Sequence, residues 1–322
     1  MTVAHPNPAD WQHSPERSNM LMLRTMTWIS LRLGRTAGRV VLHLIASYFL
    51  LFAPASRKAS RNYLKRVLQR EVDLGDIYKH FFSFASTIHD RIYLLNQRFD
   101  LFHIEVHGEQ EMQQSLCDGQ GLFLVGAHMG SFEVIRALGR KHVGMKVAIA
   151  MYEENARKLN QMLGAINPAA QQDVIGLGHI DSMLKINECL NAGTLVGMLG
   201  DRTLGDDVMR PVSLLGSPAN LPLGPFRMAA ILRRPVYFMV GLYLGGNRYE
   251  IHFEKLADFS QIAQGQRQQQ IEQTMAHYAQ LLEKYCRCAP YNWFNFFDFW
   301  QVPAAASDAT ANGMNAETTR TN

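Results

Sequence analysis

GLFLVGAHMGSFEVIRALGR, Gly121 to Arg140, changes its periodicity halfway along. Leu122 to Gly126 is a short unbroken apolar run, as suits a strand buried on both faces. From Ser131 onward, Phe132, Ile135 and Leu138 recur at helical spacing, so the strand is predicted to feed directly into a helix. Gly130 then falls near the N-cap, and Glu133 becomes a first-turn acid, which the helix dipole favours. His128 and Glu133 lie five residues apart. On one continuous helix that step is roughly 140° and the two side chains would diverge. With His128 at the carboxyl end of a strand and Glu133 in the first helical turn, they can converge.

An imidazole held by a carboxylate is a general base, because histidine titrates close to neutral pH. His128, oriented by Glu133, could take the proton of an acceptor hydroxyl. The amides around Gly130, Ser131 and Phe132, at the start of the helix, are placed to stabilise an oxyanion. That set describes acyl transfer to an alcohol. Standing against it is a plainer reading, in which His128 caps a strand and Glu133 is an ordinary first-turn acid. Ser131 lies outside a G-x-S-x-G pattern, which disfavours a serine-hydrolase elbow.

The surrounding chain alternates strands with helices. Leu74 to Asn96 is a predicted helix, Phe102 to Val106 a strand, Glu109 to Leu116 a helix, Met145 to Met151 a strand, and Glu153 to Leu163 a helix stopped by Gly164 and Pro168. Strands are expected at Asp173 to Leu177, Thr194 to Leu199, Val212 to Leu215 and Val236 to Leu244. Helices are expected at Ile180 to Leu190 and Phe226 to Leu232, and Arg248 to Phe253 closes the sheet. The pattern predicts an α/β fold with a mostly parallel or mixed central sheet covered by helices. Sites in such sheets gather at the carboxyl ends of strands. Asp201 and Arg202 follow one such end, and if that strand neighbours Leu122 to Gly126 they face the crevice of His128. Arg202 suits an anionic substrate group, since its fork matches oxyanions; a structural ion pair with Asp201 is the alternative. Arg210 and Arg227 are weaker candidates for the same role.

Charge is unevenly spread. Residues 1–70 hold eleven Lys or Arg against Asp10 and Glu16, about +9 in a chain whose net charge is +4, so the remainder is about −5. Val40 to Ala53, VVLHLIASYFLLFA, is shorter than the ~20 residues of a span. From Met26 the pattern is an amphipathic helix becoming wholly apolar, an anchor lying in one leaflet, with a tilted span as the alternative. Arg57, Lys58, Arg61, Lys65, Arg66 and Arg70 follow as a basic helix suited to anionic headgroups, not to nucleic acid. No signal peptide is evident, and retained positive charge places the attachment on the cytoplasmic face. The chain divides into an arm (1–25), anchor and basic helix (26–70), a catalytic domain (71–303) and a disordered tail (304–322).

Cys117, Cys189, Cys286 and Cys288 fit a reducing compartment. His103 and His107, alternating on a strand, read as structural, and no metal or nucleotide is expected. Ile262 to Tyr285 is a Gln-rich helix, followed by PYNWFNFFDFW, Pro290 to Trp300, whose seven aromatics either cap the core or rest at the lipid interface.

From Trp11 to Trp300 the chain resembles the bacterial lipid A biosynthesis (late, or secondary) acyltransferases. The resemblance rests on the anchor and basic helix, then HMGSFE, MYEEN, MLGDRT, SLLGSPANLPLGP, RRPVYFMV and the aromatic end. His128 and Glu133 match the family's H-x4-D/E motif, and Arg202 falls where the wider glycerolipid acyltransferases carry a phosphate-binding turn. The resemblance implies an inner-membrane enzyme that moves a fatty acyl group from an acyl carrier protein thioester to a hydroxyl of a membrane lipid. His128 is then the base and Glu133 its partner. Relatives acting on lipid A usually carry a basic residue just after the Tyr that matches Tyr152, whereas this chain has Glu153 and Glu154. The aromatic end is closer to relatives that accompany aryl polyene or other glycolipid pathways. The resemblance and these departures together imply an acceptor that is lipid A-type, or an aryl polyene or other glycolipid precursor. An acyl thioesterase using the same dyad, or an inactive membrane scaffold, is the alternative.

Overall fold

The computed structural model describes residues 16–116, 119–135, 146–167, 174–178, 180–202 and 207–300. Leu138, Pro168, Asp173, Cys117 and the tail from 304 lie outside those residues. The chain opens with three helices, α1 (Glu16–Phe52), α2 (Pro54–Leu68) and α3 (Leu74–Leu95). Strand β1 (His103–His107) and helix α4 (Glu109–Gln114) come next, then β2 (Phe123–Gly126) and a helix α5 that is described over 132–135. The middle of the chain is β3 (Val147–Tyr152), α6 (Glu153–Ile166), β4 (Val174–Leu177), α7 (Ile180–Asn191) and β5 (Leu195–Leu199). It ends with β6 (Met209–Leu214), β7 (Ser217–Pro222), α8 (Gly224–Ile231), β8 (Pro235–Tyr243), β9 (Arg248–Asp258) and α9 (Arg267–Cys288).

Seven strands form one sheet in the order β1-β9-β8-β2-β5-β3-β4. Five of them, β8, β2, β5, β3 and β4, run parallel, while β9 returns antiparallel to β8 and carries β1 parallel to itself. The expected α/β class with a mostly parallel sheet and covering helices is therefore correct. Central strands covered on both faces must be apolar throughout, and every residue of β2 is buried. The one sheet assignment that fails is Val212 to Leu215. Met209–Leu214 pairs instead with Ser217–Pro222 in a separate two-stranded hairpin. Pro211, Pro218 and Pro222 each lack the N–H that an interior ladder requires, so this segment belongs at an edge.

The same β2 neighbours β5, with Gly126 opposite Leu199, which brings the loops after both strands to one place. α3 starts at a capping box in which Asp73 and Asp76 each accept from the other's backbone, the kind of cap that stabilises a helix by ~1 kcal/mol.

α1 does not stand clear of the body. Thr27, Ser30, Leu42 and Ala46 are buried along one side, while Trp28, Leu31, Leu33, Val40, Leu44, Tyr48 and Phe52 are exposed along the others. The residues Thr25–Phe52 are long and apolar enough to cross a membrane by length and composition. Yet polar contacts hold the buried side to the body. His89 Nε2 meets Ser30 Oγ at 2.9 Å, Tyr93 donates to the Ser30 carbonyl at 2.9 Å, and Arg35 makes two 2.8 Å bonds to Asp90. Gly38 is needed for this approach, since a Cβ there would stand 2.2 Å from His89 Nε2.

Two buried histidines tie these helices together. His80 Nε2 faces the Trp293 carbonyl at 2.9 Å, so it carries the proton, and Nδ1 accepts from Ser60 at 2.8 Å. Burial lowers His80 to about 4, the Trp293 carbonyl opposing, and burial lowers His89 to about 4 despite the nearby Asp90 charge. Unfolded histidines bind a proton near 6.5. Stability is therefore present in full above about 6.5 and is lost as pH falls toward 4, because only the unfolded chain takes up those protons. Thermal unfolding across that window should show a falling midpoint; a midpoint that holds constant from pH 6.5 to 4 would contradict the neutral assignment of both rings.

Candidate active site

His128 leaves the end of β2 one residue after Ala127, and its ring is held from the neighbouring strand. Asp201, directly after β5, places Oδ1 2.8 Å from His128 Nδ1 and accepts the His128 backbone N–H on Oδ2 at 3.1 Å. Trp293 Nε1 donates to the same Oδ2 at 3.0 Å. Asp201 is 2 % exposed, and burial alone would raise its pKa. The charge and hydrogen bond of His128, the charge of Arg202 and the Trp293 N–H more than offset this, and hold Asp201 well below the usual carboxylate range. An ionised carboxylate only accepts, so His128 Nδ1 carries the proton and Nε2 is left with its lone pair as the basic atom.

Arg202 Nε lies 2.8 Å from the same Nδ1. A nitrogen that donates its N–H to Asp201 offers no lone pair to a second donor, so Asp201 is the partner and Arg202 acts through its charge. Its guanidinium carbon sits 5.3 Å from the centre of the Phe297 ring. Burial lowers the Arg202 pKa, with Asp201 opposing, and a guanidinium remains a cation at any working pH.

Glu133 is 4 % exposed and meets Arg91 Nε of α3 at 3.1 Å. It makes no hydrogen bond to His128; the carboxylate on the imidazole comes from β5, not from α5. Two of the three expected oxyanion donors are also committed elsewhere. Gly130 N–H donates to the Asn292 carbonyl at 2.9 Å and Ser131 N–H to the Gly241 carbonyl at 2.7 Å, with the Ser131 side chain buried. Gly130 has φ 62°, and a Cβ there would land 1.9 Å from the Gly241 oxygen. Since that oxygen is backbone and cannot swing away, Gly130→Ala should lower unfolding stability by well over the ~1 kcal/mol typical of a substitution, as read from denaturant titration.

Arg210 does not join this group. It lies on the exposed hairpin and lines a cavity of about 800 Å3 against α9, with Glu272, Met275 and Glu283 among the lining residues and none of the His128 cluster. Arg227 is exposed on α8.

The segment after α9 supplies what the strand ends lack. Met129 and Trp293 form a bridge, Phe294 N–H donates to the His128 carbonyl at 2.9 Å, and the Asn292 side chain both donates to and accepts from the Tyr243 backbone. Trp293 is 1 % and Phe294 8 % exposed, so these aromatics cap the core. Asn292 and Trp293 went unrecognised as site residues. The available signal was the density of aromatics, since a buried Trp N–H needs an acceptor and Asp201 is that acceptor.

A histidine at a strand end, held by a buried carboxylate from the next strand and covered by an aromatic segment, has the geometry that general base chemistry requires. The model of the family described as bacterial lipid A biosynthesis acyltransferase matches residues 16–301, and the chain belongs to that family. It is an acyltransferase. No curated protein matches it at a significant level.

Proposed function

We propose that the protein transfers a fatty acyl group from an acyl carrier protein thioester to a hydroxyl of a membrane glycolipid, at the cytoplasmic face of the inner membrane. The observation that carries this reading is the 2.8 Å contact between His128 Nδ1 and Asp201, which leaves Nε2 free to accept a proton. The acceptor hydroxyl gives its proton to Nε2 as its oxygen attacks the thioester carbonyl. The imidazolium formed is stabilised by Asp201, and it returns the proton to the departing thiolate. Arg202 supplies positive charge beside the reacting atoms, either for a substrate phosphate or for the oxyanion, since the Gly130 and Ser131 amides are engaged. Glu133, with Arg91, is the second acid of the site and fixes the start of α5. The exposed apolar side of α1 enters the lipid, and Lys58 and Arg61, exposed on α2, face the anionic surface. No metal or nucleotide takes part in this scheme.

The test compares lipid extracts by mass spectrometry from cells carrying the wild type, His128→Ala, Glu133→Gln or no copy of the gene. A glycolipid that loses one acyl chain in the null and with His128→Ala supports the reading and identifies the acceptor. Wild-type lipid from His128→Ala would overturn it. Free fatty acid with no acylated lipid would mark a thioesterase instead.

A further inference from the structure

On the far edge of the sheet, β1 and β9 run parallel and in register, so paired residues share one face. Glu105 stands beside Glu250 and His107 beside His252. Two like-charged acids directly opposite each other destabilise a sheet, and two adjacent imidazoles cannot both be protonated without repulsion. Glu105 is satisfied by His103, whose Nε2 lies 3.0 Å away. That leaves Glu250, His252 and His107 together.

The His107 and His252 rings stack with centroids 4.6 Å apart, and His252 Nε2 is 3.3 Å from Glu250 Oε2. One ligand atom from each of the three lies within 4.8 Å of the other two, and among the described residues this is the one group of three so placed. The group is reachable: His107 is exposed, and Glu250 and His252 are half-buried.

We propose that His107, Glu250 and His252 bind one divalent zinc-class ion, two imidazole nitrogens and one carboxylate oxygen forming three corners of a tetrahedron with water at the fourth. Imidazole and carboxylate are the ligands this class of ion takes. Exposed His107 turns from the stacked position so that both lone pairs converge. The ion bridges β1, which among the described residues pairs only with β9, to the rest of the sheet. It is a fastening of the sheet edge, built from residues outside the His128 cluster and taking no part in the acyl transfer scheme.

The experiment uses the untagged full chain in detergent, stripped by chelator and titrated with Co2+ and then Zn2+. One equivalent of Co2+ should give a visible absorption band that Zn2+ displaces. His107→Ala and His252→Ala should each weaken binding by at least ~100-fold, the upper end seen for outer-shell partners. Zn2+ should raise the thermal midpoint of the wild type and not that of His107→Ala. His128→Ala should bind as the wild type does. Absence of the band, binding unaltered by His107→Ala, or binding lost with His128→Ala would each overturn the proposal.

Discussion

Asp201→Asn is expected to lower turnover by about 10²- to 10⁴-fold, the usual contribution of a general base, while the fold persists. The carboxylate does three things at once: it accepts from the His128 ring, the His128 backbone and Trp293. An amide keeps the shape but can offer only one oxygen. With its NH₂ toward the ring, it forces Nδ1 to be the acceptor and moves the proton to Nε2, the atom that must receive one. With its oxygen toward the ring, its NH₂ confronts two N–H donors. The first orientation removes the basic tautomer, and the second keeps it only by leaving the His128 backbone N–H and the Trp293 N–H without an acceptor. Steady-state acyl transfer, with folding monitored by circular dichroism, separates this from simple damage. Because Asp201 is held ionised well below the carboxylate range, the loss should be as large at pH 6 as at pH 8. A rate within tenfold of wild type would show that Asp201 does not set the tautomer. Glu133→Gln in the same assay then reports what the Arg91 pair contributes.

The second large effect is on stability. Arg35→Ala should destabilise the protein by about 3–5 kcal/mol, the range for breaking a buried ion pair from one side. Asp90 has no exposed side-chain surface, and two of its three polar bonds come from Arg35, the third from Tyr249 at 2.8 Å. The neighbouring His89 is neutral at working pH and cannot replace the lost charge. Removing both partners, as Arg35→Met with Asp90→Leu, should recover part of the loss, since no buried charge is then left alone. Denaturant titration of the single and double variants decides it; a single variant within 1 kcal/mol of wild type would contradict the docking role of Arg35.

What the sequence disclosed follows from what is local. The strand at Leu122 to Gly126, the helix after Ser131 and most of the alternating elements are written in periodicity, because each is specified by its own residues. Placement of Asp201 and Arg202 beside His128 required only that two strands be neighbours. The partners of Glu133 and of the Gly130 and Ser131 amides were not legible. They come from α3, β8 and the segment after α9, separated by tens to hundreds of residues, and no spacing records such contacts. The proline-bearing hairpin was misplaced for a related reason: a short apolar run reads as a strand without saying which sheet it joins.

The docked face of α1 bears on any attempt to obtain a freely soluble protein by cutting the chain after Phe52. Such a truncation would remove Ser30, Arg35 and Arg39 along with the apolar surface. It would take Ser30 from His89, Arg35 from Asp90 and, from Tyr243, the Arg39 contact at 3.1 Å. Tyr243 is backed by Asn292, whose carbonyl holds the Gly130 amide. Solubility is therefore better sought by replacing exposed residues such as Trp28, Leu44 and Phe52 one by one than by deletion.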